Sequence, residues 1–342
     1  MRLTLLLTSA ALSAAATTKC APTKMENLVT FGDSYTDESR LKYFIDHNGQ
    51  APPPGTLLPP SNQTSSGGKA WGRFVAEATG ARYYNYAVAG AMCSDKVSKH
   101  YFDNGTFPPV KEYQAPAYQA DVKFNSLYPN RKPENTVYAQ WIGTNDLGID
   151  GFLSDKQEPG KSLPDFVECV WETFDAVYQT GGRRFVLLNQ APLQVSPMYA
   201  APKNGGEQLD QYWPNKASAC NSTESEQKMF EYTMSVNTMF DYGAPFQLLV
   251  KKRWPGAYFT IFNVHDLMLD IHNNPSQYLT PPAVVDKPYR TCGANGCVDA
   301  KDPLSGYLWF DGLHPSERTD QIIATNFVDV VKGSSKYGTY YH

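Results

Sequence analysis

The chain has 342 residues, of which 42% are apolar, and a net charge of −4 with acidic and basic residues interspersed. This apolar content is enough for a substantial core, and the lack of a basic run argues against nucleic acid or an anionic membrane as a partner. The length allows one large domain or two small ones.

The N-terminus has the pattern of a secretory signal peptide. Arg2 precedes an apolar run over residues 3–14, and Ala14, Ala15 and Ala16 form an exit of small residues. The apolar run is too short to span a bilayer, and a buried N-terminal helix is the alternative. We predict a signal peptide at residues 1–16, a mature domain at residues 17–342, and secretion.

Short apolar and β-branched runs alternate with helical patterns along the rest of the chain. Residues 162–180 form the clearest helical pattern, because Ser162 and Asp165 resemble a capping box and the following apolar residues keep the helical period. The segments 50–68 and 266–305 are rich in turn residues, and we predict surface loops there. The predicted strands cover residues 27–31, 82–88, 136–142, 185–189 and 258–264, and the other helices cover 69–79, 223–242 and 321–331.

Strands separated by amphipathic helices predict βαβ units and therefore a mostly parallel sheet with helices on both faces. No repeat or composition shift marks a domain boundary, so we predict one α/β domain. Such sheets bind ligands beyond the carboxyl ends of their strands.

Six cysteines follow the predicted cleavage site, an even number that suggests three disulfides in an oxidising compartment. Cys292 and Cys297 enclose a tight loop and are the one pair we predict. The pairing of the other four (Cys20, Cys93, Cys169 and Cys220) stays open. Their spacing does not favour a metal site. Glycosylation is predicted at three Asn-x-Ser/Thr sites, which are Asn62, Asn104 and Asn221.

Two short motifs could form a nucleophile and its base. Gly32-Asp33-Ser34 follows the first predicted strand, where a serine hydroxyl can face a cleft. Asp311 and His314 lie on a turn before the last predicted helix, and this spacing lets the carboxylate orient the imidazole. The alternatives are that Ser34 only caps a helix and that His314 is incidental to a helix start.

Two further motifs follow other predicted strands. Asn145 and Asp146 come directly after the third strand, and an amide there can donate to a developing oxyanion, although Asn and Asp are also common in turns. Gly90 follows the second strand, and its backbone N–H can approach a ligand closely because no Cβ intervenes.

In this order, the four motifs resemble the four blocks of SGNH hydrolases, also called GDSL esterases, and residues 182–192 are similar to a strand segment of plant and fungal members. The resemblance implies a flavodoxin-like three-layer α/β/α sandwich with a mostly parallel five-stranded sheet. It implies Ser34 as nucleophile, His314 as base and Asp311 as its orienter. It also implies an oxyanion hole made by Ser34, Gly90 and Asn145. The G-x-S-x-G motif of α/β-hydrolases is absent.

The sequences at residues 71–74 and 141–148 look like those of fungal acetylesterases of carbohydrate esterase family 16. That resemblance implies deacetylation of small acetylated carbohydrates such as xylo-oligosaccharides, with no metal or organic cofactor and no obligatory protein partner. Trp309, two residues before Asp311, is predicted to stack on the sugar. The alternatives are a GDSL lipase or phospholipase that cleaves longer acyl esters, and a non-catalytic carbohydrate-binding protein.

Overall fold

The computed structural model describes residues 24–102, 105–219, 221–293 and 296–342. The predicted signal peptide, the sequon residue Asn104 and the cysteines Cys20 and Cys220 lie outside the described residues. The helices are α1 (Arg40–Asp46), α2 (Trp71–Thr79), α3 (Ala115–Asp121), α4 (Thr144–Leu147), α5 (Leu163–Gln179), α6 (Lys216–Ala219), α7 (Ser222–Pro245), α8 (Val264–Asn273) and α9 (Glu317–Val331). The strands are β1 (Asn27–Gly32), β2 (Arg82–Asn85), β3 (Tyr101–Phe102), β4 (Gly105–Thr106), β5 (Thr136–Trp141), β6 (Arg184–Leu188), β7 (Tyr258–Phe262), β8 (Val284–Pro288), β9 (Arg290–Gly293), β10 (Gly296–Asp299), β11 (Tyr307–Trp309) and β12 (Gly338–Tyr341).

The central sheet contains six strands among the described residues, in the order β12-β7-β6-β5-β1-β2. The five strands from β7 to β2 are parallel, and their order is the flavodoxin-like one. The prediction of five strands was therefore one short. The additional strand, β12, pairs antiparallel with β7 at the edge of the sheet, where its register aligns Gly338 with Phe262.

Helices cover both faces of this sheet. Phe259 and Phe262 are three residues apart in β7, so their side chains point to opposite faces. The ring of Phe259 packs 5.8 Å from that of Trp171 in α5, and the ring of Phe262 packs 6.2 Å from that of Phe327 in α9. Aromatic pairs of this kind each add about 0.5–1.5 kcal/mol beyond the area that they bury. The predicted three-layer α/β/α arrangement is confirmed.

The predicted helix at residues 162–180 is confirmed as α5. The backbone N–H of Ser162 donates to the Asp165 carboxylate at 3.0 Å, which is one half of the predicted capping box. The predicted loop at residues 50–68 contains no helix or strand.

The prediction of a loop at residues 266–305 was wrong for its first part, which forms α8. Four apolar residues of this helix (Val264, Leu267, Met268 and Ile271) are buried at helical spacing, and the Asn263 side chain caps its first turn by accepting the backbone N–H of Asp266. Strands β8, β9 and β10 also lie in this segment.

Candidate active site

Ser34 lies just beyond the carboxyl end of β1, in a turn rather than at a helix N-terminus. The first helix, α1, begins six residues later at Arg40, so Ser34 does not cap it. The Ser34 hydroxyl is 2.8 Å from Nε2 of His314, although 280 residues separate the two in sequence. The structure therefore brings together two side chains that the sequence placed on separate motifs.

Asp311 holds the His314 ring from the other side. Nδ1 of His314 is 2.9 Å from Oδ1 of Asp311 and 3.0 Å from Oδ2. The backbone N–H groups of Leu313 and His314 donate to Oδ1 at 2.9 and 2.8 Å, which fixes the carboxylate within its own turn. Because a carboxylate accepts hydrogen bonds, Nδ1 carries the ring proton and Nε2 presents its lone pair to the serine.

The two partners shift each other's pKa in opposite directions. Burial lowers the pKa of His314, but the charge of Asp311 and its hydrogen bond outweigh burial, so the pKa is raised above 6.5. Burial raises the pKa of Asp311, but the attraction of His314 and three hydrogen bonds outweigh it, so the pKa is lowered below 3.8. Asp311 is therefore an anion at neutral pH, and the imidazolium of His314 is stabilised when it forms.

Gly90 and Asn145 line the same cavity as Ser34 and His314. Gly90 has a φ of +80°, and a Cβ at this position would lie 2.5 Å from the Phe107 ring, so a larger residue would be both strained and crowded. The Asn145 amide donates one hydrogen bond to the Ala91 carbonyl at 2.9 Å. This bond connects α4, which follows β5, to the loop that carries Gly90. The structure thus places both predicted oxyanion donors beside Ser34.

Two buried carboxyl groups lie next to these residues in sequence. Burial raises the pKa of Asp33 to about 6, against the opposing effect of a hydrogen bond from the Tyr35 backbone N–H. Burial also raises the pKa of Asp146 to about 7, although the Cys93 backbone N–H donates to this carboxyl group at 3.0 Å. Asp146 thereby anchors the loop that follows Gly90.

The cavity beside Ser34 has a volume of about 320 Å³. Its polar lining includes Ser34, His314 and Asn145 together with Ser65, His100, Asp150, Tyr199 and Tyr212. Its remaining wall is mainly apolar, and includes Leu41, Phe107, Ile149 and Met198. This size is at the lower end of the range for small-molecule sites, so the cavity fits a small ligand best.

Sequence reasoning missed most of the cavity wall, including His100 and Tyr212. His100 lines the cavity, and its Nδ1 is 2.8 Å from the Gly90 carbonyl oxygen. Tyr212 also lines it, and its hydroxyl donates to Oδ2 of Asp311 at 2.9 Å. Both lie outside the four motifs, so no local signal marked them.

The prediction that Trp309 stacks on a sugar was wrong. Its side chain is 0% exposed, and it does not line the cavity. Trp309 is the last residue of β11, all of whose residues are buried, and this strand packs against α9. A fully buried ring cannot offer its face to a ligand.

The structure contains the predicted disulfide between Cys292 and Cys297, which lie opposite each other in the β9–β10 hairpin. A second disulfide joins Cys93 to Cys169 and connects the loop after Gly90 to α5. Of the predicted glycosylation sites, Asn62 is exposed, and Asn221 caps α7 by accepting the Thr223 backbone N–H.

Within residues 24–102, 105–219, 221–293 and 296–342, no cluster of His, Cys, Asp or Glu could hold a metal ion. Over the same residues, no helix has the length and apolar character needed to cross a membrane.

A family model described as GDSL-like lipase/acylhydrolase matches residues 28–327. The chain belongs to this family. As a GDSL enzyme it has the SGNH hydrolase fold, and it is a serine ester hydrolase.

Two fungal relatives of this GDSL enzyme are acetylesterases. One, from Hypocrea jecorina, is 46% identical over 318 residues, which cover 92% of this chain and 91% of the relative. The other, from Thermothelomyces thermophilus, is 26% identical over 324 residues, which cover 90% of this chain and 88% of the relative. Among solved structures, an acetylxylan esterase from Geobacillus stearothermophilus aligns with a TM-score of 0.41 at 13% identity, over 92% of this chain and 96% of that one. That structure is too distant to bear on the substrate.

Proposed function

We propose that this GDSL enzyme is a secreted acetylesterase that removes acetyl groups from small acetylated sugars such as xylo-oligosaccharides. The observation that carries the catalytic part is the contact of 2.8 Å between Ser34 Oγ and His314 Nε2, with Asp311 on the other ring nitrogen. The acetyl specificity is supported by the acetylesterase from Hypocrea jecorina, which is 46% identical over nearly the whole chain.

The reaction begins when neutral His314 accepts the Ser34 proton while Ser34 Oγ attacks the acetyl carbonyl carbon. The carbonyl oxygen becomes an oxyanion, which the Ser34 and Gly90 backbone N–H groups and the Asn145 amide stabilise. The imidazolium then protonates the sugar oxygen, and the alcohol leaves. Water attacks the acetyl-enzyme by the same sequence, releasing acetate and restoring Ser34. Throughout, the charge of Asp311 stabilises the protonated ring.

The cavity supports a short acyl group. At about 320 Å³, it has room for an acetyl ester and part of one sugar unit rather than for an extended chain in addition. Its apolar wall of Leu41, Phe107, Ile149 and Met198 is the feature that would favour a longer acyl chain instead.

A rate series on p-nitrophenyl acetate, butyrate and octanoate distinguishes a preference for short acyl groups from a preference for long ones. We expect kcat/KM to be highest for acetate and lowest for octanoate. Product analysis after incubation with acetylated xylo-oligosaccharides should show free acetate and identify the acetyl position attacked. A preference for octanoate, or no acetate from the oligosaccharides, would exclude the proposed substrate.

A fluorophosphonate probe tests the catalytic proposal independently of substrate. We expect one label on Ser34 in the wild-type protein and none in Ser34→Ala. An unlabelled, folded wild-type protein would indicate a non-catalytic carbohydrate-binding protein.

Secretion and processing are supported by the signal-peptide pattern at residues 1–16 and by the two disulfides. Expression in a secreting fungal host should yield a mature chain in the medium that begins at Thr17. Treatment with an N-glycosidase should lower its mass if the sequons are occupied.

A further inference from the structure

One oxygen of the Asp311 carboxylate accepts hydrogen bonds from residues outside its own turn. Oδ1 accepts the backbone N–H groups of Leu313 and His314 and also contacts the His314 ring. Oδ2 contacts that ring at 3.0 Å and accepts two more hydrogen bonds, from the Tyr212 hydroxyl at 2.9 Å and from Nε2 of Gln211 at 3.3 Å. These two donors come from a segment about one hundred residues earlier in the chain.

This segment, residues 205–215, is seated against the turn that carries Asp311 and His314. The Tyr212 backbone N–H donates to Oδ1 of Asp210 at 2.7 Å, and Oδ2 of Asp210 lies so close to Gly312 that a Cβ there would be 1.7 Å away. Just before the segment, the Met198 backbone N–H donates to the Gly312 carbonyl at 2.7 Å. Gly312 therefore allows the segment to approach, and the approach places the Tyr212 hydroxyl on Asp311.

Tyr212 also contacts the base and the cavity. Its ring packs on the His314 ring in a T-shaped arrangement, with centroids 5.4 Å apart and planes inclined by 74°. Burial and the negative charge of Asp311 raise the pKa of Tyr212 above 10, so its hydroxyl stays protonated and remains a donor at every working pH. One face of the residue is left to the cavity, where it forms part of the wall.

We infer that Tyr212 is a positioning residue for the Asp311–His314 pair, acting through its hydroxyl on Oδ2, with Gln211 as a weaker second donor. This inference rests on the proposed catalytic function. The hydroxyl has two effects. It keeps the carboxylate plane aimed at Nδ1 of His314, and it spreads part of the carboxylate charge, which limits how far Asp311 raises the proton affinity of the ring.

Other titratable groups act on the same pair from the surrounding elements. Asp33 acts on His314 from the end of β1 and Asp210 acts on it from the segment, while Glu207, in the same segment, acts on Asp311. Further groups with an electrostatic effect on this cluster include Tyr35, Tyr199, Lys216 and Arg290. All of them stay unchanged in a Tyr212→Phe variant, so a shift in its pH profile reports the hydroxyl alone.

The test compares Tyr212→Phe with Tyr178→Phe as a matched control. Tyr178 lies on α5, and its hydroxyl also donates one hydrogen bond, to the Pro255 carbonyl oxygen, outside the cavity. For Tyr212→Phe we expect kcat for p-nitrophenyl acetate to fall about tenfold with KM within about twofold, the size of effect expected for one hydrogen bond to a charged group. The acidic limb of kcat/KM should move to higher pH by about half a unit, because Asp311 then acts on His314 with its full charge.

For Tyr178→Phe we expect both kcat and the pH profile to match the wild type. The inference would be overturned if folded Tyr212→Phe kept both the wild-type kcat and the wild-type acidic limb. A change in KM alone would also overturn it, because Tyr212 would then only line the cavity. A double variant, Gln211→Ala with Tyr212→Phe, should lose more kcat than either single variant. Fluorophosphonate labelling of the wild type at Ser34 distinguishes failure of this inference from failure of the proposed function. A wild-type protein without labelling or turnover would refute the proposed function, whereas the Tyr212 variants test only the positioning role.

Discussion

The Asn145→Ala substitution separates the proposed oxyanion role of this side chain from its structural one. An amide nitrogen carries two protons. Within the part of the chain that the structure describes, one of them is donated to the Ala91 carbonyl at 2.9 Å, which leaves the other for a substrate oxygen in the cavity. Replacement by alanine removes both donors at once, and the two losses should appear in different measurements.

Loss of the oxyanion donor should lower kcat by roughly 10²–10³-fold, which corresponds to about 3–4 kcal/mol in the transition state. The substrate carbonyl develops its negative charge only in the transition state, so KM should change by less than about threefold. Loss of the hydrogen bond to Ala91 should cost about 1 kcal/mol of stability. In a chain of this size that cost lowers Tm by only about 1–2 °C.

Initial rates on p-nitrophenyl acetate, from well below to well above KM, give both constants, and a thermal melt gives the stability. Asn326→Ala is a matched control, because Asn326 lies on α9 and its amide donates to the Ile322 carbonyl at 3.0 Å. The control should keep its kcat. A folded Asn145→Ala protein with wild-type kcat, or with an effect confined to KM, would refute an oxyanion role for this residue.

Three other predictions follow from the same geometry. Ser34→Ala should abolish turnover and fluorophosphonate labelling while leaving Tm nearly unchanged, since the proposed mechanism uses Ser34 as the nucleophile; wild-type-like rates would contradict this. The acidic limb of kcat/KM, measured from about pH 5 to about pH 9, should have its midpoint above 6.5, because the proposed base His314 must be neutral and Asp311 raises its pKa. A midpoint below 6.5 would contradict this. Asp146→Asn should gain stability relative to wild type as pH rises, because the native carboxyl keeps its proton up to about pH 7 while the unfolded one loses it near 3.8.

The sign of the Asp146 effect follows from proton linkage. Between the two pKa values the native state binds the extra proton, so the free energy of unfolding falls as pH rises through this window, by up to about 4 kcal/mol for a shift of this size. Asparagine is neutral at every pH and still offers an oxygen to the Cys93 N–H. Thermal melts at pH 4 and pH 8 (about the ends of the window) should therefore show a difference in Tm that grows in favour of the variant. A constant difference would contradict the raised pKa.

The parallel strands could be predicted because each is a short run that is buried on both faces. All six residues of β5, for example, are buried, and the sequence shows them as an apolar and β-branched run that ends at a glycine. Strand β12 gave no such signal. It has only four residues, half of them exposed, and it forms because the edge of β7 is free to pair, which is a property of the tertiary structure.

The helix α8 was missed although its signal was present. Val264, Leu267 and Ile271 recur at helical spacing, but the turn residues that follow in the segment dominated its composition. The prediction for Trp309 was wrong for a different reason. Its proximity to Asp311 in sequence suggested a position in the site, but the chain turns between the two residues. The tryptophan therefore stays in the core, packed against α9, while the carboxylate reaches the His314 ring.

Three of the five predicted catalytic and oxyanion residues share one property. Ser34, Gly90 and Asn145 each come shortly after a parallel strand, and the geometry of such a sheet brings the carboxyl ends of its strands to one edge. A motif at a strand end therefore has a location as soon as the strand is predicted. Tyr212 and His100 lie in loops whose paths depend on contacts such as that between Asp210 and Gly312, and those contacts have no period or motif. It follows that the sequence motifs predict the chemical step, whereas the loops shape the cavity and decide which ester reaches Ser34.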